Sequence, residues 1–124
     1  MYAPLIKSAR RVREHVVGRD LGAVLLTDIE PDDRSRVRYA HLLVVFRRGE
    51  RDPIAFISSE IAAAENAQDG SHFLCAFLAN GRKNQGANDA WADVDKFERA
   101  ALQWLPQLLP GAGAYRDKSG GPCA

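Results

Sequence analysis

Two short segments of the sequence, His41–Phe46 and His72–Ala79, are apolar at nearly every successive position. Neighbouring side chains of a strand point to opposite faces of its sheet, so each segment predicts a strand that is apolar on both faces. Such strands are typical of the centre of a sheet whose two faces are both covered. A fold for this chain must therefore provide cover on each side of one sheet.

Turn signals divide the middle of the chain into short extended segments. Proline and aspartate in Glu30–Asp33, and the sequence Gly49–Asp52, are typical of turns. The sequence predicts four strands, which are Gly22–Ile29, Arg34–Arg48, Pro53–Ser59 and His72–Ala79. Short turns between successive strands favour an antiparallel meander. The segment Glu60–Asn66 fits either a helix or a continuation of the third strand.

The N-terminal segment has apolar residues spaced as on one face of a helix. The repeating positions, at steps of three and four, are Tyr2, Leu5, Ala9, Val12 and Val16. Pro4 suits the first turn of a helix, and Gly18 is placed where a helix commonly ends. The pattern predicts an N-terminal amphipathic helix.

A second amphipathic pattern lies near the C-terminus. Its apolar positions are Trp91, Val94, Phe97, Ala101, Trp104, Leu105 and Leu108. Asn88 or Asp89 is suited to cap the start of this helix, and Pro106 predicts a kink or a stop. The pattern predicts a C-terminal helix that buries one side.

Together these elements predict an α+β domain with the order α-β-β-β-β-α. We expect a four-stranded, mainly antiparallel meander flanked by an N-terminal and a C-terminal helix over residues 1–110, and a flexible tail over 111–124. Helices on one face alone would leave Leu and Phe side chains exposed on the other. Either the helices divide between the two faces, or two sheets meet in a homodimer.

The composition excludes some functional classes. The 124 residues fit one domain, and 17 basic residues against 16 acidic ones give a net charge of +1. This balance is not that of a strongly basic nucleic-acid-binding protein. Cys75 and Cys123 are too few for a disulfide scaffold and, with no signal-peptide pattern, predict free thiols in the cytoplasm. Apolar stretches far below ~20 residues predict no membrane partner.

The segment Asn80–Gly86 is predicted as a loop that runs from a strand into the start of the last helix. Backbone N–H groups at a helix N-terminus, together with basic side chains, favour an anion such as phosphate or carboxylate. The candidate ligand-binding residues are Arg82, Lys83, Asn84 and Gly86. An ordinary flexible turn with surface charges is the simpler interpretation.

Three arginines at alternate positions, Arg34, Arg36 and Arg38, would share one face of a strand. Such a stripe favours contact with nucleic-acid phosphates. The simpler interpretation is that these arginines pair with the acidic residues of the preceding turn. Those acidic residues are Asp28, Glu30, Asp32 and Asp33, which read as a polar turn rather than a metal site because no calcium-loop pattern is present.

No set of catalytic residues is specified by the sequence. The titratable candidates are His41, Ser58, Ser59, Glu60, His72 and Cys75. His72 and Cys75 have opposite strand parity and therefore face opposite sides of a regular strand. No metal ligand set, cofactor motif or catalytic motif is found.

The leading hypothesis is a small cytoplasmic, non-enzymatic binding or protein-interaction module that forms a homodimer. The expected partner is a second copy of the chain or another protein. A small-anion-binding protein or enzyme with its site at Asn80–Gly86 is the first alternative, and nucleic-acid binding through Arg34, Arg36 and Arg38 is the second.

Overall fold

Six antiparallel strands and one helix make up the fold of the described residues, 4–35, 37–61, 72–79 and 81–109 of the computed structural model. The strands follow one another across a single sheet in chain order. Their bounds are β1 Ile6–Val17, β2 Leu21–Pro31, β3 Arg38–Arg47, β4 Pro53–Ile61, β5 His72–Leu78 and β6 Gly81–Ala87. A short 3₁₀ turn, Asp89–Ala92, leads into the helix α1, Val94–Leu108. The meander is therefore longer than the sequence predicts.

The predicted N-terminal helix is wrong, because Ile6–Val17 forms the strand β1. Its register with β2 shifts at three places, between Ile6 and Ser8, between Ser8 and Arg10, and between Arg11 and Arg13. A shift of this kind adds a residue to one strand and offsets the alternation of its side chains. The partly buried positions consequently recur every third residue, at Ile6, Ala9, Val12 and His15. That spacing imitates the apolar stripe of a helix.

Gly18 has the backbone conformation that its predicted role requires, but in another setting. Its φ of 69° lies in the left-handed region, which glycine adopts without steric cost. This conformation is used at helix ends and also in turns between strands. Here Gly18 turns β1 into β2.

The predicted loop Asn80–Gly86 is also wrong, since Gly81–Ala87 pairs with β5 as the strand β6. The register joins Leu78 to Gly81, so the two strands are connected by a tight hairpin. The strand-forming propensity of this glycine-rich, polar segment is low. Pairing with the apolar neighbour β5 decides its conformation, because the backbone groups of β5 require partners.

The predicted C-terminal helix is present as α1, which covers one face of the sheet that we call the helix face. The predicted cap is wrong, because Asn88 caps the 3₁₀ turn and Asp93 caps α1. Its buried residues are Phe97, Ala101, Leu102, Trp104, Leu105 and Leu108. They pack on side chains from β1 to β5, of which Leu25, Leu43, Ile57 and Leu74 are fully buried. The helix continues through Pro106 and ends two residues later, at Leu108.

The opposite side of the sheet, which we call the second face, carries a separate apolar cluster. Tyr39, Leu42, Cys75 and Phe77 are buried there, with partly buried side chains around them. The surrounding side chains are Ile6, Leu26, Ile29, Val37, Phe56 and Phe73. No helix of the described ranges covers this face. The expected single sheet with two apolar faces is thus present, but it has six strands where four were expected, and of the two expected flanking helices only the C-terminal one is found.

Three expectations extend beyond the residues that the structure describes. The segment Glu60–Asn66 is described only as far as Ile61, where β4 ends. The tail 111–124, including Cys123, lies outside the described residues, as does Arg36.

Candidate functional site

A cleft of about 350 Å³ lies on the helix side of the molecule, between the edge strand β6 and the helix α1. Four lining residues share one stripe of α1, at Ala100, Gln103, Trp104 and Gln107. The strand β6 contributes Gln85, and the 3₁₀ turn contributes Trp91. Two indole rings and three amide side chains therefore line the cleft, and none of its lining residues is charged.

The 3₁₀ turn that carries Trp91 is held against the sheet by two side chains. The Ser59 hydroxyl donates to the Trp91 carbonyl at 2.7 Å. The Nε2 of His41 lies 2.8 Å from the Ala92 carbonyl, and its Nδ1 lies 2.9 Å from the hydroxyl of Thr27. A carbonyl can only accept, so Nε2 carries the proton that is donated to Ala92. The position of Trp91 is thus set by neighbouring strands of the sheet.

The start of α1 is fixed by Asp93, whose carboxylate accepts from the backbone N–H groups of Asp95 and Lys96. These hydrogen bonds lower the pKa of Asp93, because they stabilise its ionised form. The same bonds occupy two of the N–H groups that a helix start leaves without a partner inside the helix. The helix N-terminus is therefore capped from within the chain.

A polar cluster, made of Glu60, Cys75 and Arg82, lies on the second face. The Nη2 of Arg82 is 2.5 Å from Glu60 Oε2 and 3.3 Å from Cys75 Sγ. The Arg82 guanidinium also lies 5.3 Å from the centre of the Phe77 ring, within the range of a cation–π contact. These contacts engage the Arg82 guanidinium within the chain, while 42% of the side chain remains exposed.

The thiol in this cluster is a poor nucleophile. Cys75 is fully buried, and burial raises its pKa although the hydrogen bond from Arg82 acts in the opposite direction. Burial, with the charge of Glu60, also raises the pKa of Tyr39 to about 12. The reactive form of cysteine is the thiolate, which a raised pKa makes scarce at neutral pH. The cluster is consequently better suited to packing than to nucleophilic catalysis.

Ser58 stands beside Cys75 with a polar atom that has no partner. It is fully buried, and its register neighbours are Leu42 on one side and Cys75 on the other. In the described part of the chain its hydroxyl forms no hydrogen bond. A buried hydroxyl without a partner lowers stability, since it has lost its hydrogen bonds to water.

The structure separates the four residues that were candidates for an anion site. Arg82 faces Cys75 and Glu60 on the second face, while the side-chain oxygen of Asn84 accepts from the Gly86 N–H at 2.7 Å. Lys83 is exposed and lies opposite Ala76, on the helix face. The two basic side chains, Arg82 and Lys83, therefore lie on opposite faces of the sheet.

The predicted arginine stripe is not formed by one strand. Arg34 lies in the turn before β3 and pairs with Asp32, whose pKa the hydrogen bond from Arg34 lowers to about 2. Arg38 begins β3, and Arg36 is outside the described residues. Two other acidic side chains of this group pair with β1, Asp28 with Arg10 and Glu30 with Lys7.

The catalytic candidates fall into two groups on opposite faces. His41 and Ser59 lie on the helix face under the 3₁₀ turn, and Glu60 and Cys75 lie on the second face. His72 belongs to the helix face, where burial and the nearby His41 lower its pKa. Within the described ranges, no group of three or more His, Cys, Asp or Glu side chains is arranged to hold a metal ion. No described helix is long and apolar enough to span a membrane.

Sequence reasoning missed the cleft. The sequence pattern places Trp91 and Trp104 in the buried stripe of the helix and assigns no role to Gln85, Gln103 and Gln107. One signal was present, because Ala100, Gln103 and Gln107 follow the spacing of a helix face beside the apolar one. The sequence pattern did not predict the strand β6, which forms the other wall of the cleft.

Comparison of the chain with protein-family models, with curated proteins and with solved structures found no match.

Proposed function

We propose that this protein is a non-enzymatic interaction module that binds a partner protein at the cleft between β6 and α1. The observation that carries the proposal is the lining of the cleft, two indole rings with three amide side chains and no charge. Aromatic side chains supply large contact areas at protein interfaces, and amide groups both donate and accept hydrogen bonds. Such a lining suits a neutral side chain of another protein.

The non-enzymatic part of the proposal is supported by the bonding of the catalytic candidates. Both ring nitrogens of His41 and the hydroxyl of Ser59 are engaged in holding the 3₁₀ turn. A general base must reach the proton that it removes, and a nucleophile must be activated by a neighbour. Cys75 is buried with a raised pKa, so it does not supply that activated nucleophile.

Filling the cleft is expected to weaken binding. Gln103 is exposed on α1 and lines the cleft, so Gln103→Trp places an indole in it without changing the core. A random-peptide phage library selected on the wild-type protein is expected to enrich clones that bind Gln103→Trp at least tenfold more weakly, about 1.4 kcal/mol.

The matched control for this substitution is Arg99→Trp, an exposed position on α1 that does not line the cleft. The selected clones are expected to bind this variant as they bind the wild type. Failure to enrich any clone, or clones that bind Gln103→Trp undiminished, would contradict the proposed function.

Self-association through the second face is a second candidate, favoured by one observation. Phe56 and Phe73 are only partly buried beside the cluster around Cys75, on a face that no described helix covers. Burial of such aromatic side chains between two copies would remove apolar surface from water.

The homodimer is tested by sedimentation velocity at micromolar concentration. We expect twice the mass of one chain, and a return to the mass of one chain for Phe56→Glu, because the charge would be placed in the interface. The control is Lys96→Glu, at an exposed position of α1. A wild-type protein that sediments as one chain would contradict this candidate.

A further inference from the structure

The strand β6 forms one edge of the sheet, next to the cleft. It pairs with β5 alone, and no other strand of the described ranges lies along its outer side. An edge strand presents unpaired N–H and C=O groups that can pair with another extended chain. The Gly86 N–H already donates to the side chain of Asn84. The other backbone groups on the outer side of β6 are available for hydrogen bonds to a partner.

The two edges of the sheet differ in how strongly they oppose such pairing. The register of β1 shifts at three places, whereas the register of β6 shifts once, between Leu74 and Cys75 of its neighbour. Shifts of this kind bend an edge and disturb its hydrogen-bonding pattern. The strand β6 is accordingly the better template for an added strand.

The charges of the two edges also differ. The basic side chains of β1 are paired within the chain, Lys7 with Glu30, Arg10 with Asp28, Arg11 with Glu14 and Arg13 with Glu98. On β6, Arg82 is held by Glu60, but Lys83 has no ion pair among the described residues. Lys83 is thus the exposed cation that this edge offers to a partner.

Lys83 and the cleft lie on the same side of the sheet. Lys83 is opposite Ala76, which belongs to the core under α1, and Gln85 lines the cleft. Residues of an added strand that face this side alternate with residues that face away. One such residue would enter the neutral cleft, and the next one on the same side would meet the positive charge of Lys83.

We infer that β6 takes up an extended segment of a partner protein as an additional strand, with a large neutral side chain in the cleft and an acidic residue beside Lys83. This inference rests on the proposed function and deepens it by naming the chemistry of the partner. The main-chain hydrogen bonds supply affinity in binding of this type, and the side chains supply specificity.

The test uses the clones selected in the phage experiment, synthesised as capped peptides. Their shared pattern is expected to be an aromatic or large apolar residue with Asp or Glu two positions before or after it in the sequence. Lys83→Glu is expected to weaken peptide binding about tenfold, because the attraction to the acidic residue becomes repulsion. A peptide with Lys in place of that acidic residue is expected to bind Lys83→Glu without this loss.

Two further arms separate strand addition from binding by side chains alone. N-methylation of the peptide amides that face β6 is expected to abolish binding, and methylation of the alternate amides is expected to be tolerated.

The control for the charge change is Lys96→Glu, which makes the same change at an exposed position of α1 outside the cleft and is expected to leave affinity unchanged. Peptides that lose affinity for Gln103→Trp but not for Lys83→Glu or after N-methylation would overturn strand addition and leave the proposed function standing. Peptides unaffected by Gln103→Trp would overturn the proposed function itself.

Discussion

Replacing Phe97 by alanine is expected to lower the free energy of unfolding by about 3–5 kcal/mol, the usual cost of removing a buried phenylalanine side chain. Phe97 is the largest fully buried side chain of the molecule's described part, and it belongs to the core between α1 and the sheet. Its ring centre lies 5.6 Å from that of His41, whose Nε2 donates to the Ala92 carbonyl. The substitution therefore also removes a packing neighbour of His41. The effect should therefore include looser attachment of the 3₁₀ turn.

Urea denaturation followed by circular dichroism measures this loss. Arg99→Ala, at an exposed position of the same helix, is the matched control and is expected to change the free energy of unfolding by less than about 0.5 kcal/mol. A loss of under about 1 kcal/mol for Phe97→Ala would mean that α1 does not pack on the sheet through this residue.

Two adjacent serines are expected to respond to the same substitution with opposite signs. Ser58 and Ser59 are both fully buried on β4, but they face opposite sides of the sheet. The hydroxyl of Ser58 has no partner in the described part of the chain, so Ser58→Ala removes an unsatisfied group. It is expected to raise the free energy of unfolding by about 1 kcal/mol.

Ser59→Ala is expected to lower the free energy of unfolding by about 1–2 kcal/mol, because the Trp91 carbonyl loses the hydrogen bond that Ser59 donates at 2.7 Å. Each variant serves as the control for the other, since both lose the same atom from the same strand. Equal losses for the two would show that the hydroxyl of Ser58 is satisfied after all. Because Trp91 lines the cleft, Ser59→Ala should also lower the affinity for the selected peptides, and Ser58→Ala should leave it unchanged.

The residues of the cleft show why a site of this kind is hard to read from one sequence. The apolar spacing of Phe97 and Trp104 predicted the helix and its buried side correctly, whereas Trp91, a member of the same pattern, lies before the helix in the 3₁₀ turn. The same spacing assigned both tryptophans entirely to the core, since it gives no information about where the covered sheet ends. The edge of the sheet lies at β6, whose polar sequence has a low tendency to form a strand. Pairing with β5 across a tight hairpin forms that wall of the cleft.

The error at the N-terminus has a different cause. A regular strand buries alternate residues, but register shifts with β2 interrupt that alternation, and the partly buried residues of β1 recur every third position. A period of three is close to that of a helix, so the sequence pattern was ambiguous in principle. Val16, a member of the predicted stripe, is 68% exposed, whereas Val17 beside it is buried. Only the pairing with β2 decides which of these neighbours enters the core.

What the sequence determined by itself was local or periodic over a few residues: the central strands, the turns between them, the helix α1 and the apolar character of both sheet faces. What only the tertiary structure decided depended on which segments pair and pack together. These features are the strands β1 and β6, the cleft beside Gln85 and the position of Arg82 on Cys75. The physical reason is that hydrophobic periodicity reports which residues leave water. The identity of their neighbours is set by backbone hydrogen bonds that a strand makes with another part of the chain.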